Sequence, residues 1–379
     1  MSRPDLLALG LAISLAGCPQ QGQEPSAGAE SGAGTWSAMD AGAGGEVHRL
    51  VTGPGGVLYG TGYFGQEDRE GTQVLREEAA RWDGSAWTRV SANEKETVHA
   101  LATWDDGSGP AVHAIVRADG RGYRLCKLVD GAWTPVGDSI EPDPGVGVGP
   151  LQAADLGGGP RLFAGGVNGT FAWWDGEAWT PQAGGFLEQE GAPDAAPFAL
   201  VALKRGEAQV LCLGGWFKRA GPPGAGVECL GVVLWDGKAY APLGAGIDAG
   251  DGAGVRALCA VGEELYAAGQ FVAAGGSPAR SVARWDGKAW HPLGAGVEGE
   301  VNALAWLDGK LYAGGELTRA GEVEVQNIAV WDGERWDALG AGVDDAVHAL
   351  LVHEGSLIVA GEFRTAGGVD ARNVARWRP

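Results

Sequence analysis

Three histidines, His48, His99 and His348, sit at one place in a repeated segment, as the second residue of "VHRL", "VHAL" and "VHAL". Imidazoles gathered at one site can hold a divalent metal or, when protonated, an anion. In the other copies the position reads Gln152, Phe198, Arg256 and Asn302. A place that tolerates Phe, with no carboxylate expected beside the rings to orient them, also suits a polar strand start that binds nothing. His113, His291 and His353 form no constellation. Neither G-x-S-x-G, H-E-x-x-H nor a P-loop occurs, so the expectation is a protein without catalysis, metal or cofactor.

A second group of reactive side chains lies in three variable stretches. "GQEDREGTQVLREE" (65–78) is dense in both charge signs and offers Glu67, Asp68 and Arg69. "GGFLEQEGAPDAA" (184–196) sets Phe186 and Leu187 in polar chain, and "WFKRAGPPGAGVEC" (216–229) adds Trp216, Lys218 and Arg219. Together they would make an aromatic and charged docking patch, because function on a repeat scaffold concentrates in variable loops. The competing reading is a set of solvated insertions.

The elements that must position these residues follow from self-similarity. "VNALAWLDGKLYAGGELTRAGEVEVQNIAVWDGERWDALGAGV", from Val301, parses into four strands with turns at Asp308-Gly309 and Asp332-Gly333. Asp-Gly between apolar runs marks a hairpin, since both residues tolerate positive φ. A third-strand tryptophan recurs at Trp82, Trp174, Trp235, Trp285, Trp331 and Trp377, with Val129 in the same place in "LVDGAW". A fourth-strand aromatic recurs at Trp36, Trp87, Trp133, Trp179, Tyr240, Trp290 and Trp336. The aspartates of the turns at 83, 130, 175, 236, 286 and 332 read as backbone-capping groups.

Four-stranded units of this length are propeller blades, each burying its faces against the next. Trp36 reads as a fourth strand with no strands before it, and Trp377 as a third strand with none after it. Six complete blades plus one shared between the two ends gives an all-β, seven-bladed β-propeller over 35–379, the last blade closed by the N-terminal strand. The repeat resembles the glycine-rich, WDG-containing propeller repeats of secreted and surface bacterial proteins. More distantly, "LYAGG" followed by the third-strand Trp is similar to Kelch repeats such as those of the galactose oxidase propeller. The Gly-His of WD40 is missing, and "DGxxW" is one residue shorter than the sialidase Asp-box. This resemblance implies fold; propellers host many activities.

The start of the chain carries a different signal. "MSRPDLLALGLAISLAGC" has a basic n-region, an apolar run too short to span a bilayer, and then Cys18. Leu15-Ala16-Gly17-Cys18 resembles the bacterial lipobox at all four positions. The resemblance implies a signal peptide (1–17) cleaved before Cys18, which would carry the lipid and anchor an exported protein, expected at the outer membrane and facing the periplasm or cell surface. Residues 18–34, rich in Gln, Gly, Ser and Pro, read as a flexible tether.

With 48 Asp and Glu against 28 Lys and Arg, the net charge of −20 works against binding a phosphate backbone, so no nucleic-acid partner is expected. Cys126, Cys212, Cys229 and Cys259 show no metal or redox spacing; a Cys212–Cys229 pair is conceivable, and buried thiols are the simpler reading. The functional expectation is a monomeric, membrane-anchored binding or scaffold module for a protein or glycan at the cell envelope. The alternatives are a lectin-like or glycan-processing propeller and a metal or anion site at the three histidines.

Overall fold

The computed structural model describes residues 34–39, 45–67, 73–90, 96–118, 122–140, 149–167, 170–181, 185–187, 196–222 and 224–379. Cys18, the 1–17 segment, nearly all of the 18–34 tether, Asp68 and Arg69 lie outside the described residues. Those described form an all-β protein without an α-helix, built from antiparallel sheets of four strands.

The first sheet runs Gly45–Thr52, Leu58–Glu67, Gln73–Trp82 and Trp87–Val90, and the second Glu96–Asp105, Pro110–Ala118, Tyr123–Val129 and Ala132–Ile140. The third comprises Leu151–Asp155, Pro160–Val167, Thr170–Trp174 and Trp179–Pro181; the fourth, Ala196–Arg205, Ala208–Trp216, Val232–Trp235 and Tyr240–Pro242. The fifth contains Gly254–Val261, Glu264–Gln270, Val282–Trp285 and Trp290–Pro292, and the sixth Val297–Leu307, Lys310–Ala320, Ile328–Trp331 and Trp336–Ala338. The seventh joins Val347–His353, Ser356–Gly361 and Val374–Arg378 to Thr35–Ala38, with Trp36 opposite Trp377 and Ala38 opposite Ala375. Several fourth strands are three residues long and end in proline, which blunts the outer edge against further pairing.

Turn chemistry sets the hairpins. Asp83, Asp175, Asp236, Asp286 and Asp332 each accept, through Oδ1, the N–H groups two and three residues on at 2.8–2.9 Å. Those bonds favour the charged form and hold all five carboxyls below the usual range. Asp130 departs from the set. It adopts φ +50° with Gly131 at +81°, a two-residue turn closed by Val129 opposite Ala132. Leu128, not Val129, therefore faces Trp133, and Val129 is 43% exposed. The assignment of Val129 to the tryptophan position is corrected by one residue.

Seven apolar clusters account for the interior, each contributed by two sheets. Six join sheets consecutive in the chain. The other joins the seventh sheet to the first, with Val47, Leu50 and Phe64 against Ala349, Leu351, Ile358 and Val374, and Met39, just past Thr35–Ala38, among them. The tryptophan pairs pack at these interfaces: Trp285–Trp290, Trp331–Trp336 and Trp36–Trp377 lie with ring centroids 5.6, 5.4 and 5.2 Å apart. Fourth-strand indoles also reach back to the preceding sheet. Trp290 Nε1 donates to the Leu243 carbonyl at 2.9 Å, Trp336 Nε1 to Leu293 at 2.9 Å, and Trp36 Nε1 to Leu339 at 3.1 Å. Trp36 thus makes, from the far end of the sequence, the contact made by its counterparts within continuous hairpins.

The links between sheets repeat "GAG". The second glycine of each, Gly246, Gly296 and Gly342, has φ of 74°, 77° and 70°, and a Cβ there would run into the carbonyl oxygen of Leu230, Arg280 or Gln326. Gly355, in a hairpin at φ 68°, has open space around it. Gly342→Ala is expected to destabilise the domain by about 2–3 kcal/mol, adding a backbone collision to left-handed strain, and Gly355→Ala by about 1 kcal/mol from strain alone. Urea midpoints at equal m-value measure the difference; equal losses in the two variants would show that the collision is not there.

Candidate functional site

The histidine position is a β-bulge. In the first, second, fourth, fifth, sixth and seventh sheets the register between first and second strands shifts across His48, His99, Phe198, Arg256, Asn302 and His348 respectively. A bulge leaves its residue out of the ladder and re-aims its side chain, which is why so varied a set occupies one structural position. The third sheet differs. Gln152 pairs with Phe163 inside the regular ladder, whereas the in-register counterpart of His348 is Gly149, bonded to Gly165. The alignment of Gln152 with the histidines is corrected by three residues.

Where these side chains are polar and buried, they reach a neighbouring sheet. Arg256, 9% exposed, forms an ion pair with Glu300 of the sixth sheet. Asn302, 2% exposed, donates through Nδ2 to the Val347 carbonyl of the seventh at 3.3 Å. His348 lies edge-on to His48 of the first sheet, ring centroids 5.1 Å apart at 83°. His48 also meets Tyr63 at 5.1 Å. His99 is not stacked with the pair; its Nδ1 lies 3.0 Å from Glu77 of the first sheet, and its Nε2 2.8 Å from Thr97 Oγ1.

Each imidazole has a carboxylate, against the expectation that none would be near. Glu46 Oε2 is 3.5 Å from His48 Nε2, Glu77 serves His99, and Glu362 Oε1 is 2.7 Å from His348 Nε2. The pattern Glu46-Val47-His48 carried the signal for one of these, since residues two apart share a strand face; Glu77 and Glu362 come from other strands and had none. Burial first, and then the neighbouring His348, push the His48 imidazole down to about 4. Burial, with Glu362 next in size, pushes the Glu46 carboxyl up. An anion entering here would meet carboxylates, which weigh against the anion reading. No group of three or more His, Cys, Asp or Glu among the described residues is placed to hold a metal ion.

The proposed docking patch is partly dissolved. Phe186 and Leu187 do lie beside the third stretch: they pair with Ala220 and Arg219, which pair in turn with Val227 and Glu228. But Phe186 is 2% exposed, its ring 4.7 Å from Phe217 and within 6.3 Å of Phe171 and Tyr240. The polar surroundings in sequence suggest presentation to solvent; the short strand instead folds Phe186 inward, and it is core. Trp216 is half-buried and Lys218 exposed, while Arg219 Nη2 donates to the Gly226 carbonyl at 3.2 Å. Glu67 ends the long second strand of the first sheet, opposite Gln73.

Similar small sheets, built from an inter-sheet link and the hairpin between second and third strands, stand beside the fourth and fifth sheets, and Val343 bridges Ala366 beside the seventh. Links and second-to-third-strand hairpins therefore share one side of these sheets.

Cys126, Cys212 and Cys229 are free and buried, so the Cys212–Cys229 pairing does not occur. Burial pushes the Cys126 and Cys229 thiols up to about 12, far from nucleophilic reactivity. Cys259, fully buried, is disulfide-bonded, which corrects the buried-thiol reading at that position. No helix among the described residues is long and apolar enough to cross a membrane.

No family model matches this chain, and no curated protein does. Among solved structures it is similar to Raptor of Chaetomium thermophilum, with 10% identity and TM-score 0.47 over 90% of this chain and 29% of that one. The chain thus spans less than a third of Raptor. It is also similar to the β-propeller domain of the Trilobed protease from Pyrococcus furiosus, at 11% identity and TM-score 0.42 over 88% of this chain and 93% of that one. A protein of unknown function from Dyadobacter fermentans matches at 10% identity and TM-score 0.43, covering 90% and 96% of the two chains.

Proposed function

We propose that this chain is a seven-bladed β-propeller, closed by its N-terminal strand, that serves as a non-catalytic binding or scaffold module at a bacterial cell envelope. The observation that carries the architecture is the apolar cluster joining the seventh sheet to the first. With the six clusters between consecutive sheets, it gives every sheet two neighbours, the condition for a ring. A ring of packed blades is rigid, and its loops supply specificity. The side carrying links and second-to-third-strand hairpins is the docking face, with Trp216, Lys218 and the 65–78 stretch as its outstanding features. Anchoring rests on the lipobox-like Leu15-Ala16-Gly17-Cys18, and the tether would let the propeller range from the membrane.

Proximity labelling from the native envelope tests the reading, comparing the wild type with a chain lacking 68–72. Loss of one set of neighbours from the deleted form, with its melting unchanged, supports a docking role; identical neighbour sets in both refute it. A glycan array separates the lectin-like alternative, in which Trp216→Ala abolishes a sugar signal. Cys18→Ala should release the protein from the membrane fraction, and its retention there would remove the lipid anchor.

A further inference from the structure

The junction between the first and seventh sheets differs in kind from the others whose bulge residues are polar. Between fifth and sixth sheets the polar contact is the Arg256–Glu300 ion pair. Between sixth and seventh it is an amide-to-carbonyl bond. Between seventh and first it is two imidazoles, His48 and His348, each 8% exposed and in edge contact. Edge contact between two neutral rings is favourable, whereas two imidazolium ions at this separation repel in a medium that screens poorly.

We infer that this junction is an acid-sensitive latch: the His48 ring, buried and edge-on to His348, holds the first and seventh sheets together, and its protonation loosens them. The charged and titratable groups facing the pair are Glu46 and Arg49 on the Gly45–Thr52 strand, Tyr63 and Glu77 on the next two, and Asp345, Glu362 and Glu300 from the seventh and sixth sheets. Glu77, Glu46 and Glu362 are the carboxylates that could compensate an imidazolium. Glu46 and Glu362 crowd one another, however, and burial already favours the neutral form of Glu46. Acidification therefore removes negative charge from the site while adding positive charge to it.

His48 carries a lowered folded-state pKa, so its contribution to stability is complete above 6.5 and is lost as pH falls toward about 4. Glu46, raised, acts in the opposite sense and reduces the net effect. The position itself tolerates an uncharged ring, since Phe198 occupies the same bulge in the fourth sheet.

Hydrogen exchange on the purified full chain, corrected for intrinsic rates, tests the latch between pH 6.5 and 4. Protection of Gly45–Thr52 and Val347–His353 is expected to fall by up to roughly a hundredfold, the ceiling set by the His48 shift. Gly254–Val261, whose junction is held by the Arg256–Glu300 pair, should change far less. His48→Phe should abolish the difference between the two junctions. A uniform loss across all sheets, or the same selective loss in His48→Phe, overturns the inference. Imidazole titration followed by NMR in the wild type gives an answer that does not depend on the variant folding. A His48 ring that titrates near 6.5, independently of His348, also overturns it.

Discussion

A chain lacking residues 31–41 is expected to lose the whole domain, not to fray at one edge. The Thr35–Ala38 strand closes the outer side of the seventh sheet, and its Trp36 stacks on Trp377 and bonds the sixth sheet through Leu339. Met39, 2% exposed, is part of the cluster between seventh and first sheets. Losing a half-buried tryptophan and a buried methionine costs about 5 kcal/mol or more by the usual large-to-small losses. The lost ladder hydrogen bonds add about 1 kcal/mol each. The total approaches the roughly 5–15 kcal/mol that holds a typical domain together. Thermal unfolding followed by tryptophan fluorescence is the measurement. A truncated protein melting within a few degrees of the parent would show that Thr35–Ala38 is an ornament on a ring closed without it.

Phe186→Ala is the second large effect, and it separates two roles for one residue. As a surface anchor, Phe186 would cost little on truncation, since exposed sites stay within about 0.5 kcal/mol. As the 2%-exposed member of a cluster with Phe217, Phe171, Trp235 and Tyr240, it should cost about 3–5 kcal/mol. The denaturant midpoint should fall with the m-value unchanged. Lys218→Ala, at an exposed position just before the same small sheet, should change stability by no more than about 0.5 kcal/mol. If Phe186→Ala melted like the parent, the residue would return to the docking face.

Much of this fold is legible in the sequence, for specific physical reasons. The Trp-Asp-Gly-x-x-Trp hairpin uses one backbone solution, an aspartate capping two N–H groups, so its spacing survives while the surrounding residues vary. That spacing also let Trp36 and Trp377 be recognised as the two halves of a single hairpin pair. It failed at "LVDGAW", where two adjacent apolar residues compete for one inward position and only the turn type decides between them. It failed again at Gln152, because the marker residue of the bulge is there a glycine. Phe186 was misplaced because a two-residue strand has too little pattern to reveal which way it faces. The carboxylates beside the histidines were the least legible part. Glu77 and Glu362 reach them across strands, and sequence spacing carries no information about such neighbours.

The pairing of Thr35–Ala38 with Val374–Arg378 in one sheet also orders events during synthesis. Ser37 and Arg376 are bonded across 339 positions, so the first strand of the domain to emerge must wait for the last. Until Val374–Arg378 is made, Thr35–Ala38 has no ladder partner and Trp36 lacks the Trp377 ring it packs on. Contacts this remote slow folding, since the intervening loop must close before they form, and an unpaired strand invites association meanwhile. The domain therefore gains its full stability only after Val374–Arg378 has been made.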